Sequence, residues 1–165
     1  MTDQETNYDR CLAIDPGAKL GWAVIDHGKV TNHDHVQAGK GKGLPTMPYI
    51  ETIADLMRTH APDIVASEGM LIVSKQSGGL AYAKAVILVE VTASLHGLDH
   101  DYVYPASWRA HFNMPAKKDK KASILWANRF AKNPITDDNE AEAVLLGIYH
   151  FAAHGIKRPE QLNLL

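Results

Sequence analysis

The chain has a single cysteine, Cys11, so no internal disulfide can form and no cysteine-based zinc site can be assembled. A reducing cytoplasm fits that usage. No apolar stretch is long enough to cross a bilayer, and the longest, Ala81–Leu95, is interrupted by Lys84 and Glu90. The opening residues MTDQETNYDR are polar and lack the apolar segment of a signal peptide. An excess of positive charge is also missing. Lysine and arginine total 17 against 19 aspartate and glutamate, a net charge of −2 with histidine neutral. Binding to nucleic acid through bulk charge is therefore excluded. A nucleic-acid role would need local basic patches, or metal ions between acidic groups and phosphate. Internal repeats and low-complexity tracts are absent as well.

What is present is enough for one domain. The chain has 165 residues, 45% of them hydrophobic, which supports a sizeable core over residues 1–165, with 1–9 expected as a mobile tail. Strands are predicted at Cys11–Ile14, Gly21–Ile25 and Val30–Gln37, with a hairpin turn at Asp26–Lys29 between the second and third. Ile50, Ile53, Ala54 and Met57 recur at helical spacing, so Tyr49–His60 is predicted helical with Pro48 at its first position. Asp63–Ser67 reads as a fourth strand. Leu80–His96 reads as a helix apolar nearly all round and closed by Gly97. Asp101–Tyr104 reads as a fifth strand stopped by Pro105, and Lys120–Ala131 as a helix broken by Asn133-Pro134. A last helix starts at Thr136-Asp137-Asp138 and runs to about His154. Asp137 and Glu140 have capping-box spacing. A three-stranded meander followed by strand–helix alternation implies an α/β fold, a mixed sheet covered by helices.

Three acids stand out by context. Asp15 ends the first apolar strand in CLAIDPGAKLGWAVID, Glu68 ends the fourth after IVAS, and Glu142 lies early in the last helix. A carboxylate at the end of a buried strand is costly unless it is compensated. If the first and fourth strands are parallel neighbours, Asp15 and Glu68 emerge together, and the start of the last helix can deliver Glu142. Asp138 and Asn139, four and three residues earlier, can share its face. Carboxylates so close repel one another, and divalent cations remove the conflict; oxygen-only ligands suit Mg²⁺ or Mn²⁺. Two ions about 3.5–4 Å apart can activate water and stabilise the leaving oxygen of a phosphodiester.

The segments IDPGAKLGWAV, SEGM and DDNEAEAVLLGIYH, in that order over Leu12 to about Phe151, resemble the three acidic motifs of the RuvC family of Holliday-junction resolvases. That family lies in the ribonuclease H-like superfamily. The resemblance implies a ribonuclease H-like mixed five-stranded sheet, a three-stranded antiparallel meander plus two parallel strands, flanked by helices. It implies an Mg²⁺-dependent crossover junction endodeoxyribonuclease with two ions per site, Mn²⁺ substituting. The expected role is in recombination, repair or the resolution of branched DNA. The expected form is a homodimer that nicks opposed strands of a four-way DNA junction and leaves 5′-phosphate and 3′-hydroxyl ends.

By position, Asp15 resembles the central aspartate that bridges both metals, Glu68 the second ligand and Glu142 the last acidic ligand. Glu142 stands where the family has aspartate. Asn139 stands at the remaining ligand position, where Asp138 is the alternative. Lys75 and Gln76, just past Glu68, together with Lys84 and Arg109, are candidate DNA contacts. So is the run Lys117, Lys118, Lys120 and Lys121. Met70 and Leu71 occupy the place of a wedge against junction bases. The resemblance places the protein on DNA in the cytoplasm, with the nucleoid, or in the host cytoplasm if the gene is viral.

Other readings compete. Asp15-x-Gly17 also resembles the first phosphate loop of the actin and sugar-kinase superfamily, but no second such loop follows. A YqgF-like nuclease acting on RNA and a non-catalytic junction-binding module are further alternatives. Asp137 reads as a helix cap, and Asp138 as either cap or ligand. His33 and His35 share a strand face, expected to be exposed. Trp22, Trp108 and Trp126 are expected in packing, and Cys11 as a small buried residue.

Overall fold

The computed structural model describes residues 8–39, 45–69, 79–115 and 119–154. Five strands form one sheet: β1 Arg10–Asp15, β2 Lys19–Asp26, β3 Lys29–Gln37, β4 Ile64–Glu68 and β5 Asp99–Val103, in the order β3-β2-β1-β4-β5. β1, β2 and β3 pair antiparallel, and β4 lies parallel to both β1 and β5. The helices are α1 Thr46–His60, α2 Gly79–Leu95, α3 Pro105–His111, α4 Lys120–Ala127 and α5 Asp138–His154. This is the ribonuclease H-like arrangement, and the predicted meander and parallel pair are both present.

The side-chain alternation of β1 explains the layers. Cys11 and Ala13 face α3, α4 and α5, together with Ile64, Ala66, Trp108, Ala141 and Leu145. Leu12 and Ile14 face α1 and α2, together with Tyr49, Ile53, Val65, Ala85 and Val89. A central strand covered on both faces must be apolar throughout, which is why Cys11–Ile14 shows no polar–apolar alternation. The turn into β3 uses His27 and Gly28, both at positive φ, as a tight two-residue hairpin with right-handed strand twist requires.

Several boundaries differ from expectation. Tyr8 is buried on His150 and the Asp9 amide donates to Asp63, so neither belongs to a tail. α1 begins at Thr46, which puts Pro48 in its third position, where a missing N–H still costs no helical bond. α3 was not anticipated: Pro105 does not merely stop β5 but starts a seven-residue helix. α4 ends at Ala127, four residues early. The Asn128 side-chain amide donates to the Ile124 and Ile135 carbonyls and accepts from the Ile135 backbone amide, turning the chain before Pro134 can.

Candidate metal centre

Asp15 and Glu68 are the last residues of neighbouring parallel strands. The register Ile14↔Ser67 places them side by side one step further on. Alternation sends both side chains toward α5, and the first turns of α5 supply Glu142. The three carboxylates each offer an oxygen within 4.8 Å of the others. Asp15 and Glu142 are almost entirely buried, at 5% and 2% exposure. Among the described residues this is the one group of three or more His, Cys, Asp or Glu side chains with metal-ligand spacing. An all-oxygen donor set of three carboxylates at this spacing fits a hard divalent cation such as Mg²⁺ or Mn²⁺.

Two glycines set the distance between α5 and the sheet. Gly21 pairs with Asp15 across β1 and β2. A Cβ on Gly21 would sit 2.0 Å from the Asn139 carbonyl oxygen and 2.7 Å from the Glu140 nitrogen. The backbone at the start of α5 therefore rests directly on β2, opposite Asp15. Further along α5, a Cβ on Gly147 would meet Ile25 Cγ1 at 2.7 Å and Ala13 Cβ at 2.8 Å. Hydrogen-bonding groups hold the same seat. Asp137 caps α5 by accepting from the Asn139 and Glu140 amides, and it pairs with Lys19 of β2. Burial opposes ionisation of Asp137, but the Lys19 bond, the Glu140 amide, the nearby His35 and the Asn139 amide together hold its carboxyl below the usual range.

The capping box is only half formed. The Glu140 side chain does not turn back to the cap; it reaches β3, where His33 Nδ1 lies 2.5 Å from Oε1 and His35 Nδ1 3.5 Å from Oε2. The shared face of His33 and His35 is thus not an exposed strand face but the surface on which the start of α5 is seated.

Around the acids, Ser123 Oγ of α4 donates to Glu142 Oε1 at 3.4 Å, and the Arg109 guanidinium of α3 lies 3.7 Å from the same oxygen. Arg109 was expected on the DNA surface, but only 11% of its side chain is exposed; it leans on Trp108 and its charge faces the acid cluster. The Tyr82 hydroxyl of α2 donates to Glu68 Oε1 at 2.9 Å. Burial first, and then the charges of Glu68, Asp15 and Glu142, push that hydroxyl far above its usual pKa, so it remains a donor. The Gly17 amide donates to the buried Tyr49 hydroxyl at 3.2 Å, which fixes the turn leaving Asp15.

Asp138 stands outside the three-acid group and pairs with Lys120 at 3.0 Å. The Asn139 side-chain amide donates to Asp137 at 3.3 Å. Lys84, Lys120 and Lys121 are exposed. Met70, Leu71, Lys75, Gln76, Lys117 and Lys118 lie outside the described residues. Tyr82, Ser123 and the Gly21 seat were not foreseen. The only sequence trace of the last is a glycine placed mid-strand, a known mark of close backbone approach.

No family model and no curated protein matches the sequence. Solved structures do match. A Thermus thermophilus RuvC structure aligns with TM-score 0.69 at 16% identity, over 87% of this chain and 95% of that one. T. thermophilus RuvC in complex with Holliday junction substrate gives 0.70 at 19%, over 87% and 94%. The fowlpox virus Holliday junction resolvase gives 0.58 at 16%, over 87% and 99%. At these identities the likeness establishes the fold: the chain is a structural match to the RuvC-type resolvases.

Proposed function

We propose that this chain is a Holliday-junction resolvase, a divalent-metal-dependent endonuclease acting on opposed strands of four-way DNA junctions. The observation that carries the reading is the convergence of Asp15, Glu68 and Glu142 at the strand ends of a RuvC-like fold. Asp15, Glu68 and Glu142 would hold two Mg²⁺ ions, with Mn²⁺ able to replace them and with Asn139 or Asp138 completing the set. When bound, such ions activate water and neutralise charge on the phosphate under attack.

The protein's own groups prepare that site. Gly21, Asp137, His33 and His35 fix the seat of α5 and so the place of Glu142. Arg109 lowers the repulsion among the acids and offers positive charge at the edge where a phosphate would arrive. Lys84, Lys120 and Lys121 on the exposed surface, and Lys75, Gln76, Lys117 and Lys118 by their positions in the sequence, are assigned to DNA phosphates. Met70 and Leu71 are assigned to the junction bases. The net charge of −2 makes this division of labour necessary, because bulk attraction is absent.

The substrate and the exposed face of α2 both support a homodimer. Two symmetry-related strands need two sites, which a two-fold dimer supplies. α2 exposes Leu80 at 85%, Ile87 at 53%, Val91 at 42% and Leu95 at 74%, an apolar stripe interrupted near its start by exposed Lys84, on a helix whose other side is in the core. A second copy of α2 covers such a stripe by matching it with itself. T. thermophilus RuvC and the fowlpox virus resolvase have both been solved with Holliday junction DNA, which supports the choice of substrate.

The test is incubation with a labelled synthetic four-way junction, with and without Mg²⁺ or Mn²⁺, beside a structured RNA. Paired nicks in the DNA only when metal is present support the reading. Cleavage of the RNA alone would move the chain to the RNA-directed branch of the fold, and binding without nicking would make it a junction-binding module.

A further inference from the structure

We infer that Tyr82 is a positioning residue for the metal centre: its hydroxyl, donated to Glu68 Oε1 at 2.9 Å, fixes the orientation in which Glu68 presents its carboxylate. The inference rests on the reading that Asp15, Glu68 and Glu142 hold divalent cations.

The three acids differ in burial. Asp15 is short and buried, and Glu142 is buried beneath α4 with Ser123 on one oxygen. Glu68 has a longer side chain, is only half-buried and projects from the strand end. Its backbone is secured, since the next residue's amide, Gly69 N–H, donates to the Val103 carbonyl at 2.8 Å. From outside that strand α2 reaches the side chain through the Tyr82 hydroxyl. That helix is anchored on the sheet by Ala85, Val89 and Ala93, and Tyr82 lies one turn before Ala85 on the end that reaches Glu68.

The chemistry of the donor suits the task. A carboxylate has two oxygens and about four lone-pair positions, so a bond to Oε1 leaves capacity for a cation. A phenol donates one proton and carries no charge, so it orients Glu68 without competing for the anionic site as a lysine would. Groups that orient metal ligands in this way typically change metal affinity by about 10–100-fold when removed.

Tyr82→Phe removes one oxygen and keeps the ring. Mn²⁺ binding to the full-length protein, followed by electron paramagnetic resonance of the free ion, is the primary readout. Mg²⁺-dependent junction nicking and junction binding in Ca²⁺ accompany it. The expected result is a loss of Mn²⁺ affinity of about tenfold, a matching rise in the Mg²⁺ needed for half-maximal nicking, and recovery of rate at saturating Mg²⁺. Junction binding and the melting temperature should stay close to wild type, a pattern that a general packing defect would not give. Mn²⁺ affinity within about twofold of wild type would overturn the inference. Wild-type protein that binds Mn²⁺ but leaves junctions uncut would defeat the resolvase reading alone, because the Mn²⁺ comparison would still decide the role of Tyr82. Wild-type protein that binds no Mn²⁺ would overturn both.

Discussion

Replacing Gly21 by alanine tests how the site is assembled, because the residue touches no substrate and carries no charge. The added Cβ would lie 2.0 Å from the Asn139 carbonyl oxygen, whereas an unstrained carbon–oxygen separation is about 3.3 Å. The start of α5 must then retreat by about 1.3 Å, the difference of those two distances. Glu142 lies one turn from Asn139 and moves with it, away from Asp15 and Glu68. Overpacking of this kind costs about 1–3 kcal/mol, and at this chain length each kcal/mol lowers the melting temperature by about 2–4 °C. The protein should therefore fold, with a melting temperature lower by roughly 2–12 °C. A displacement of about 1 Å at a reacting centre can cost about 100-fold in rate, so Mg²⁺-dependent nicking should fall by roughly 10- to 100-fold.

Gly147→Ala is the control. Its Cβ would meet Ile25 and Ala13 side chains further along α5, so a similar loss of stability should leave more of the activity. The assays are calorimetric melting, Mn²⁺ binding and junction nicking on both variants. A folded Gly21→Ala protein with wild-type nicking and Mn²⁺ affinity would refute the claim that this glycine seats Glu142.

Three more outcomes follow from the same structure. Asp15→Asn should abolish nicking and leave junction binding largely intact, as measured by gel shift in Ca²⁺, because binding depends on basic and shape contacts; joint loss of binding and folding would make Asp15 structural. Lys117→Ala with Lys118→Ala should weaken junction binding and flatten its salt dependence by about 0.9 in log–log slope for each phosphate no longer neutralised, and an unchanged slope would remove that segment from the DNA surface. Stability should fall as pH drops below about 6.5. His150 is fully buried, and burial, only partly offset by its bond to Asp101, holds its imidazole below the usual 6.5; His60 and His100 are lowered by burial too. The unfolded chain takes up protons there before the folded one does, so the stabilisation is complete above about 6.5 and is lost as pH falls through the folded values. A melting temperature that stays flat or rises between about pH 7.5 and about pH 5.5 would contradict this sign.

Much of the site was legible because its carboxylates break strong local patterns. Asp15 and Glu68 each end an apolar run, and they converge if the two runs are parallel neighbours, a condition that the pairing of β1 with β4 meets. Glu142 was legible through its place near a helix start and through the resemblance of DDNEAEAVLLGIYH to an acidic motif. The groups that fix these acids in space left weaker traces. Gly21 and Asn139 meet only in the folded chain, and a mid-strand glycine does not name what approaches it. Tyr82 lies in a helix apolar on nearly every side, so no polar face marks its hydroxyl. α3 is seven residues long with Trp108 as its one buried residue, too short for a period to show. Glu140 carried a capping signature that its contacts with His33 and His35 overrode, and the same contacts turned a strand face expected in solvent into a packed one.

The arrangement of the acids is most directly tested by a crystal grown or soaked with Mn²⁺ and measured at the manganese absorption edge. The predicted result is anomalous density enclosed by Asp15, Glu68 and Glu142, lost in Asp15→Asn. Fully occupied manganese elsewhere with none among these carboxylates, or the three side chains found apart, would contradict it.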